Sequence, residues 1–278
     1  MAPLVIGVVA TVLTAIGSWN VSLWSDEVAT LSAAERDVGA LERLVERIDA
    51  VHGTYYLLMH LWVGWFGASP VAVRLPSALA VGVAAAGVVV LARRLAGPRT
   101  ALLAGAVFLV LPRVTWAGIE ARPFALSIAV AVWMTVVLHS AVTRGGAARY
   151  VGYGLLLALG TAVNLYVALV AAAHVVTLLL SRSPRRTVVA TVLAAAGGLA
   201  AASPVVLAAL GQGGHLGRRG LSLLGLARNV IVNQWFLGET PTGTTASGST
   251  LAAGSVWKLA AIALALLCWA LVVWATVQ

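Results

Sequence analysis

Long apolar runs separated by short polar joints set the pattern of this chain. The first, Ala2 to Trp19, spans about 27 Å as a helix at roughly 1.5 Å per residue, close to the thickness of a bilayer's hydrocarbon core. Further runs cover Pro76 to Leu95, Thr100 to Leu111, Ala121 to Val142, Tyr150 to Val163, Leu165 to Leu180, Val188 to Leu210 and Val256 to Val277. Counted with the first, they predict an all-α polytopic membrane helix bundle of about eight transmembrane helices. The stretch TYYLLMHLWVGWFG at 54 to 67 reaches only about 21 Å as a helix, and Pro70 follows it soon after. Its Tyr55, Tyr56, Trp62, Trp65 and Phe66 suit a helix in the membrane interface rather than a ninth crossing.

The joints decide the sidedness. Arg93 and Arg94 with Arg99, Arg144 with Arg149, and Arg182 with Arg185 and Arg186 belong on the inner face if basic loops stay inside. With 54 to 67 in the interface, both chain ends lie inside. All nine acidic residues then fall outside: Asp26, Glu27, Glu35, Asp37, Glu42, Glu46, Asp49, Glu120 and Glu239. A crossing at 54 to 67 would instead carry the Asp26 loop to the inner side. A large first outer loop, residues 20 to 75, follows from the arrangement chosen. Ser25 is positioned to cap a helix starting at Asp26, and Ser32-Ala-Ala-Glu35 fits a capping box. In LERLVERIDAV, 41 to 51, Leu41, Leu44, Val45 and Ile48 share one face while Glu42, Arg43, Glu46, Arg47 and Asp49 cover the other. That pattern predicts a helix lying flat on the membrane as part of a lid.

Composition agrees with the pattern: 61% of residues are hydrophobic, 10% are charged and the mean hydropathy is +0.98. The net charge of +9 comes from basic residues scattered between apolar runs, which removes nucleic acid from the candidate partners. One cysteine, Cys268, leaves no disulfide framework. The apolar start lacks a basic leader and a small-residue cleavage site, so it is read as a retained span and not a signal peptide. No repeat of 20 to 50 residues is present. GETPTGTTASGST, 238 to 250, reads as an outer connector able to cover a site.

The candidate chemistry sits where spans end. Asp26 and Glu27 follow the first span, and an ionised carboxylate there can take the proton of an acceptor hydroxyl; equally, acids in a first helical turn are favoured by the helix dipole. Glu120 and Arg122, in WAGIEARPFAL, emerge at the same outer level from a different loop. Convergence of acids and a cation from two loops favours the catalytic reading. His60, His139, His174 and His215 show no metal-pair spacing and are read as structural.

These segments resemble the membrane glycosyltransferases of the dolichyl-phosphate-mannose protein mannosyltransferase family and its bacterial relatives, which share the GT-C fold. The matching pieces come in order: Asp26-Glu27; HGTYYLLMHLW at 52 to 62, similar to the family's His-Pro-Pro-Leu-Tyr-Tyr; VRLPSAL at 73 to 79; GIEARPFAL at 118 to 126, similar to Glu-Ala-Arg-Pro-Tyr-Ala-Leu; and NLYVAL at 164 to 169. The resemblance implies a single GT-C-like module over residues 1 to 278. It implies a sugar, mannose first and a pentose such as arabinose next, moved from a polyprenyl-phosphate donor to a hydroxyl acceptor on a glycan or protein. It further implies an inverting displacement on the extracytoplasmic side of the cell membrane. Asp26 takes the place of the catalytic base, with Glu27 and Glu120 beside it. Arg122, Arg74 and His52 are expected to hold the donor phosphate, and Trp24, Tyr55, Tyr56 and Phe124 to line the substrate pocket. No cofactor is firmly implied; a divalent ion on Asp26, Glu27 and Glu120 is compatible but not required. The chain departs from the pattern at Gly53-Thr54 in place of Pro-Pro, at Phe124 in place of Tyr and at Ile119 in place of a polar residue. Family members continue with further spans, so a fragment or short form is expected. The competing classes are a transporter or flippase of lipid-linked substrates, which calls for ionisable residues at mid-membrane, and a noncatalytic membrane scaffold.

Overall fold

A computed structural model describes residues 1–212, 222, 223, 227 and 251–277, and among these the regular structure is helical, with no strand. The elements are α1 (Ala2–Ala15), α2 (Ser25–Ala34), α3 (Val38–Arg47), a 3-10 turn (Ala50–His52), α4 (Gly53–Phe66), α5 (Pro70–Val110), α6 (Pro112–Gly118), α7 (Phe124–Arg144), α8 (Ala147–Val163), a second 3-10 turn (Leu165–Val167), α9 (Ala168–Leu180), α10 (Arg185–Gly211) and α11 (Leu251–Val277). The chain divides into two compact units, Met1–Leu109 with Ala117–Leu216, and Val110–Trp116 with Gly217–Gln278. Every candidate site residue belongs to the first. His215, Glu239 and the 238 to 250 connector lie outside the described residues.

The 41 residues of α5 are two helical arms, because Gly97 has φ 88° and ψ 178° and Pro98 restarts the helix. That backbone region is open only to glycine. The break falls between the two runs expected at 76–95 and 100–111. A Cβ at Gly105 on the second arm would stand 2.8 Å from Val89 on the first, and one at Gly118 would stand 3.1 Å from Val81. The arms therefore run antiparallel. Gly7 of α1 lies against the Gly82 carbonyl, and Thr14 against Gly118, so α1 runs antiparallel to the first arm. Its exit then comes to the same end as the start of α5 and the turn after Gly118.

By length and apolar composition, α5, α7 and α10 can cross a membrane. The segments Ala2–Ala15, Ala147–Val163, Leu165–Leu180 and Ile262–Trp274 are shorter apolar helices. Among the described residues, helix length and composition alone thus carry fewer full crossings than the eight expected.

The segment expected as the first outer loop is largely helical, with two changes. The helix with Asp26 starts at Ser25, and Trp24 takes the N-cap position. Ser32 lies inside that helix instead of capping the next; α3 is capped by Asp37, whose Oδ1 accepts from the Ala40 N–H at 2.8 Å. Leu41 is buried, with Leu44 and Val45 packed beside it, but α3 ends at Arg47 and Ile48 is 65% exposed, off the apolar stripe. Tyr55, Tyr56 and Met59 of α4 turn into a core with Ala33, Ala34, Leu41, Val73 and Ala121. Two bonds fix α4 there: His60 Nδ1 lies 2.8 Å from the Ala34 carbonyl, and Trp62 donates to the Ala72 carbonyl at 2.8 Å.

A second core joins α7 to α10 through Met134, Leu138, Tyr153, Leu157, Val167, Ala171 and Ala195. Here Gly154 and Gly198 let α8 and α10 approach backbone to backbone, the small-residue packing typical of helices in lipid. His174 spans three helices, 3.0 Å from the Thr135 hydroxyl and 3.2 Å from that of Tyr153. At the far end of α10, the Gln212 amide donates to the Val45 and Glu46 carbonyls at 2.8 and 2.9 Å and accepts from the Ala50 N–H at 2.8 Å. The last turn of α10 thereby grips the junction between α3 and the first 3-10 turn.

Candidate active site

Successive helical residues point about 100° apart, so Asp26 and Glu27 cannot share one environment. Glu27 turns inward, 1% exposed. Its carboxylate takes both forks of Arg74, Nε to Oε1 at 2.8 Å and Nη2 to Oε2 at 2.6 Å. It also accepts from the Ala121 N–H at 2.9 Å and from the Trp24 N–H at 3.3 Å. Arg74, 3% exposed, spends its other donors on the carbonyls of Ser18, Val21 and Ser22 at 2.6, 2.8 and 3.2 Å. A buried charge is tolerated only when paired and hydrogen-bonded in this way. The pair ties together the exit of α1, the start of α2, the start of α5 and the turn carrying Glu120. Arg74 was expected to face a donor phosphate; its guanidinium is instead enclosed by these acceptors.

Asp26 turns outward, its side chain 45% exposed, with Oδ2 3.7 Å from Arg122 Nη2. Arg122 is only 8% exposed. The same Nη2 stands 3.1 Å from His52 Nε2, and the guanidinium lies 5.9 Å from the centre of the Phe124 ring. On its other side the His52 ring meets Asp49, Nδ1 to Oδ1 at 2.7 Å, and Asp49 Oδ2 accepts from the Tyr56 hydroxyl at 2.6 Å. Burial pushes the Asp49 carboxyl up, but the hydrogen bonds from His52 and Tyr56 and the charge of Arg122 outweigh it and hold the group below its ordinary value. The Tyr56 hydroxyl is raised by burial and by its bond to Asp49.

Glu120 is 4% exposed, and the N–H of the next residue is bonded to Glu27, so the loop that carries Glu120 reaches the start of α2. Tyr55 is fully buried beside Ser77; burial raises its hydroxyl, and the Glu27 and Glu120 charges add to the rise against Ser77 and Arg122. The four expected pocket aromatics thus divide: Tyr55 and Tyr56 pack inside, while Trp24 and Phe124 keep exposed faces. Among the described residues no group of three or more His, Cys, Asp or Glu side chains is gathered as a metal site.

Two residues of this cluster were not singled out from the sequence. Asp49 carried a local signal, the Asp-x-x-His spacing with His52. Gln212 carried none, because its partners lie more than 160 positions away.

The family model for dolichyl-phosphate-mannose-protein mannosyltransferase matches residues 54–207, more than half of the chain. The match includes Tyr55, Tyr56, Arg74, Glu120, Arg122 and Phe124, and begins just after His52. No curated protein and no solved structure matches the chain. An apolar, helical chain carrying this match belongs to the dolichyl-phosphate-mannose-protein mannosyltransferase family and is a membrane glycosyltransferase of the GT-C type.

Proposed function

We propose that this protein moves a sugar, mannose before a pentose such as arabinose, from a polyprenyl-phosphate donor to a hydroxyl on a glycan or protein. Asp26 is the general base. It takes the acceptor O–H proton as the acceptor oxygen attacks the anomeric carbon. The bond from that carbon to the phosphate oxygen breaks, and polyprenyl phosphate departs with the electron pair. In-line attack inverts the anomeric centre. Arg122 faces the departing phosphate, where a fixed cation stabilises developing negative charge; His52 supports it. Trp24 and Phe124 border the sugar.

The observation that carries this reading is the half-exposed Asp26 carboxylate 3.7 Å from the guanidinium of Arg122. A base and a phosphate cation must both be within reach of one anomeric carbon, and Asp26 is more exposed than Asp49, the other acid facing Arg122, 45% against 30%. Glu27 and Arg74 serve as the strut beneath them. The cluster lies on the extracytoplasmic side, on eight crossings with the short apolar helices and both arms of α5 each counted as one. A lipid-linked donor then reaches the site from the membrane surface.

The test is Asp26→Asn assayed for transfer from polyprenyl-phosphate-mannose in membranes. Transfer falls about 100-fold or more, the usual contribution of a general base, while donor binding persists. Full activity in that variant sinks the assignment.

A further inference from the structure

We propose that Asp49 is a positioning residue for the transfer reaction, holding His52 in the one tautomer that can receive Arg122 and so fixing the cation beside Asp26. The inference rests on the reading of Asp26 and Arg122 just given.

The argument is one of donors and acceptors. A guanidinium has only N–H donors and an ionised carboxylate only acceptors. His52 stands between the two, with Nδ1 2.7 Å from Asp49 and Nε2 3.1 Å from Arg122. Both contacts are satisfied only if Nδ1 carries the proton and Nε2 is bare. The ring is therefore neutral, donating to Asp49 and accepting from Arg122. The opposite tautomer, or the imidazolium, would set an N–H against the guanidinium. Ionised Asp49 excludes the opposite tautomer because Oδ1 needs a donor, and its second oxygen is already taken by Tyr56 at 2.6 Å. A carboxylate that sets a histidine tautomer is a recognised catalytic device; its loss leaves the geometry and removes the rate.

The surroundings are built to keep Asp49 in place. It lies between α3 and the 3-10 turn Ala50–His52, and Gln212 closes that junction with three hydrogen bonds to residues on either side of it. The charged and titratable groups facing this point are His52 and Tyr56 from the turn and α4, and Arg122 from the segment before α7. Tyr56 also stacks loosely on the His52 ring, centroids 5.8 Å apart. The result is a chain from Asp49 through His52 and Arg122 to Asp26.

The test uses full-length protein with 15N-labelled histidine in nanodiscs, alongside transfer assays. His52, assigned by the signal that vanishes in His52→Gln, is neutral with its proton on Nδ1 in the wild type. In Asp49→Asn that signal moves toward the other tautomer, and transfer falls about tenfold or more, as for a lost hydrogen bond to a charged group. Asp49→Asn adds no further loss to His52→Ala, since it acts through that ring, and Asp49→Glu restores part of the rate. An unchanged tautomer in Asp49→Asn, or losses that multiply in the double variant, overturns the proposal. A wild type that transfers no sugar would refute the proposed reaction, and the nitrogen signal alone would then decide the Asp49 contact.

Discussion

Two neighbouring acids show how one turn of helix assigns opposite roles. Glu27 is buried against a two-pronged Arg74, while Asp26 meets solvent and a looser cation at 3.7 Å. Their stabilities should differ accordingly. Removing the charge from one member of a buried pair leaves the other uncompensated and costs about 3–5 kcal/mol, whereas a half-exposed pair contributes about 1 kcal/mol or less. Glu27→Gln is therefore expected to lower the unfolding midpoint in detergent strongly, and Asp26→Asn to leave it nearly unchanged while transfer is lost. Equal destabilisation by both would refute the division. The sequence showed that acids cluster here, but not which one turns inward, because that depends on Arg74 and Ala121, 47 and 94 positions away. Asp49 was legible in principle from its spacing to His52.

Elements were easier to read than their ends. The helix at 54 to 67 appears within one residue of its expected limits, since its aromatic and apolar run has a single helical solution between Gly53 and Gly67. The capping of α3 was misplaced for a tertiary reason. Ser32 offers a good local cap, but Ala33 and Ala34 are buried in the α4 core and carry α2 onward, leaving Asp37 to start the next helix. A contact invisible in local pattern governs the second core as well. A Cβ on Gly154 would stand 2.7 Å from the Ala194 carbonyl, and one on Gly198 would meet the Gly154 carbonyl more closely still. Backbone cannot yield as a flexible side chain does, so Gly198→Leu should push α8 from α10. The expected cost is about 1–3 kcal/mol, in the range of overpacking, read as a lower unfolding midpoint in detergent. Gly197→Leu, where nothing stands within 4 Å, is the control and should be near neutral. Equal effects at both positions would show that the helices are not packed through Gly198.

For the molecule as a whole, what the hydrophobic pattern determines is which residues share an end; which side of the membrane that end faces comes from charge. The antiparallel contacts of α1 and the arms of α5 put Asp26, Arg74 and Arg122 together and place the Gly97 turn at the other end. From Arg74 to Gly97 the first arm rises about 35 Å at roughly 1.5 Å per residue, more than a hydrocarbon core of about 30 Å. A cysteine at each end should therefore answer to opposite sides. Ser32 and Arg99 are both exposed, and Cys268 can be replaced by Ser to clear the background. In intact cells, a membrane-impermeant thiol reagent should label Ser32→Cys without permeabilisation and Arg99→Cys only after it. The positive-inside distribution of Arg93, Arg94 and Arg99 requires that order. The reverse order would move the carboxylates to the inner face and with them the acceptor the enzyme could use. Labelling of both positions from one side would mean that the first arm of α5 does not cross, and a donor held at one membrane surface would then need a different route to Asp26.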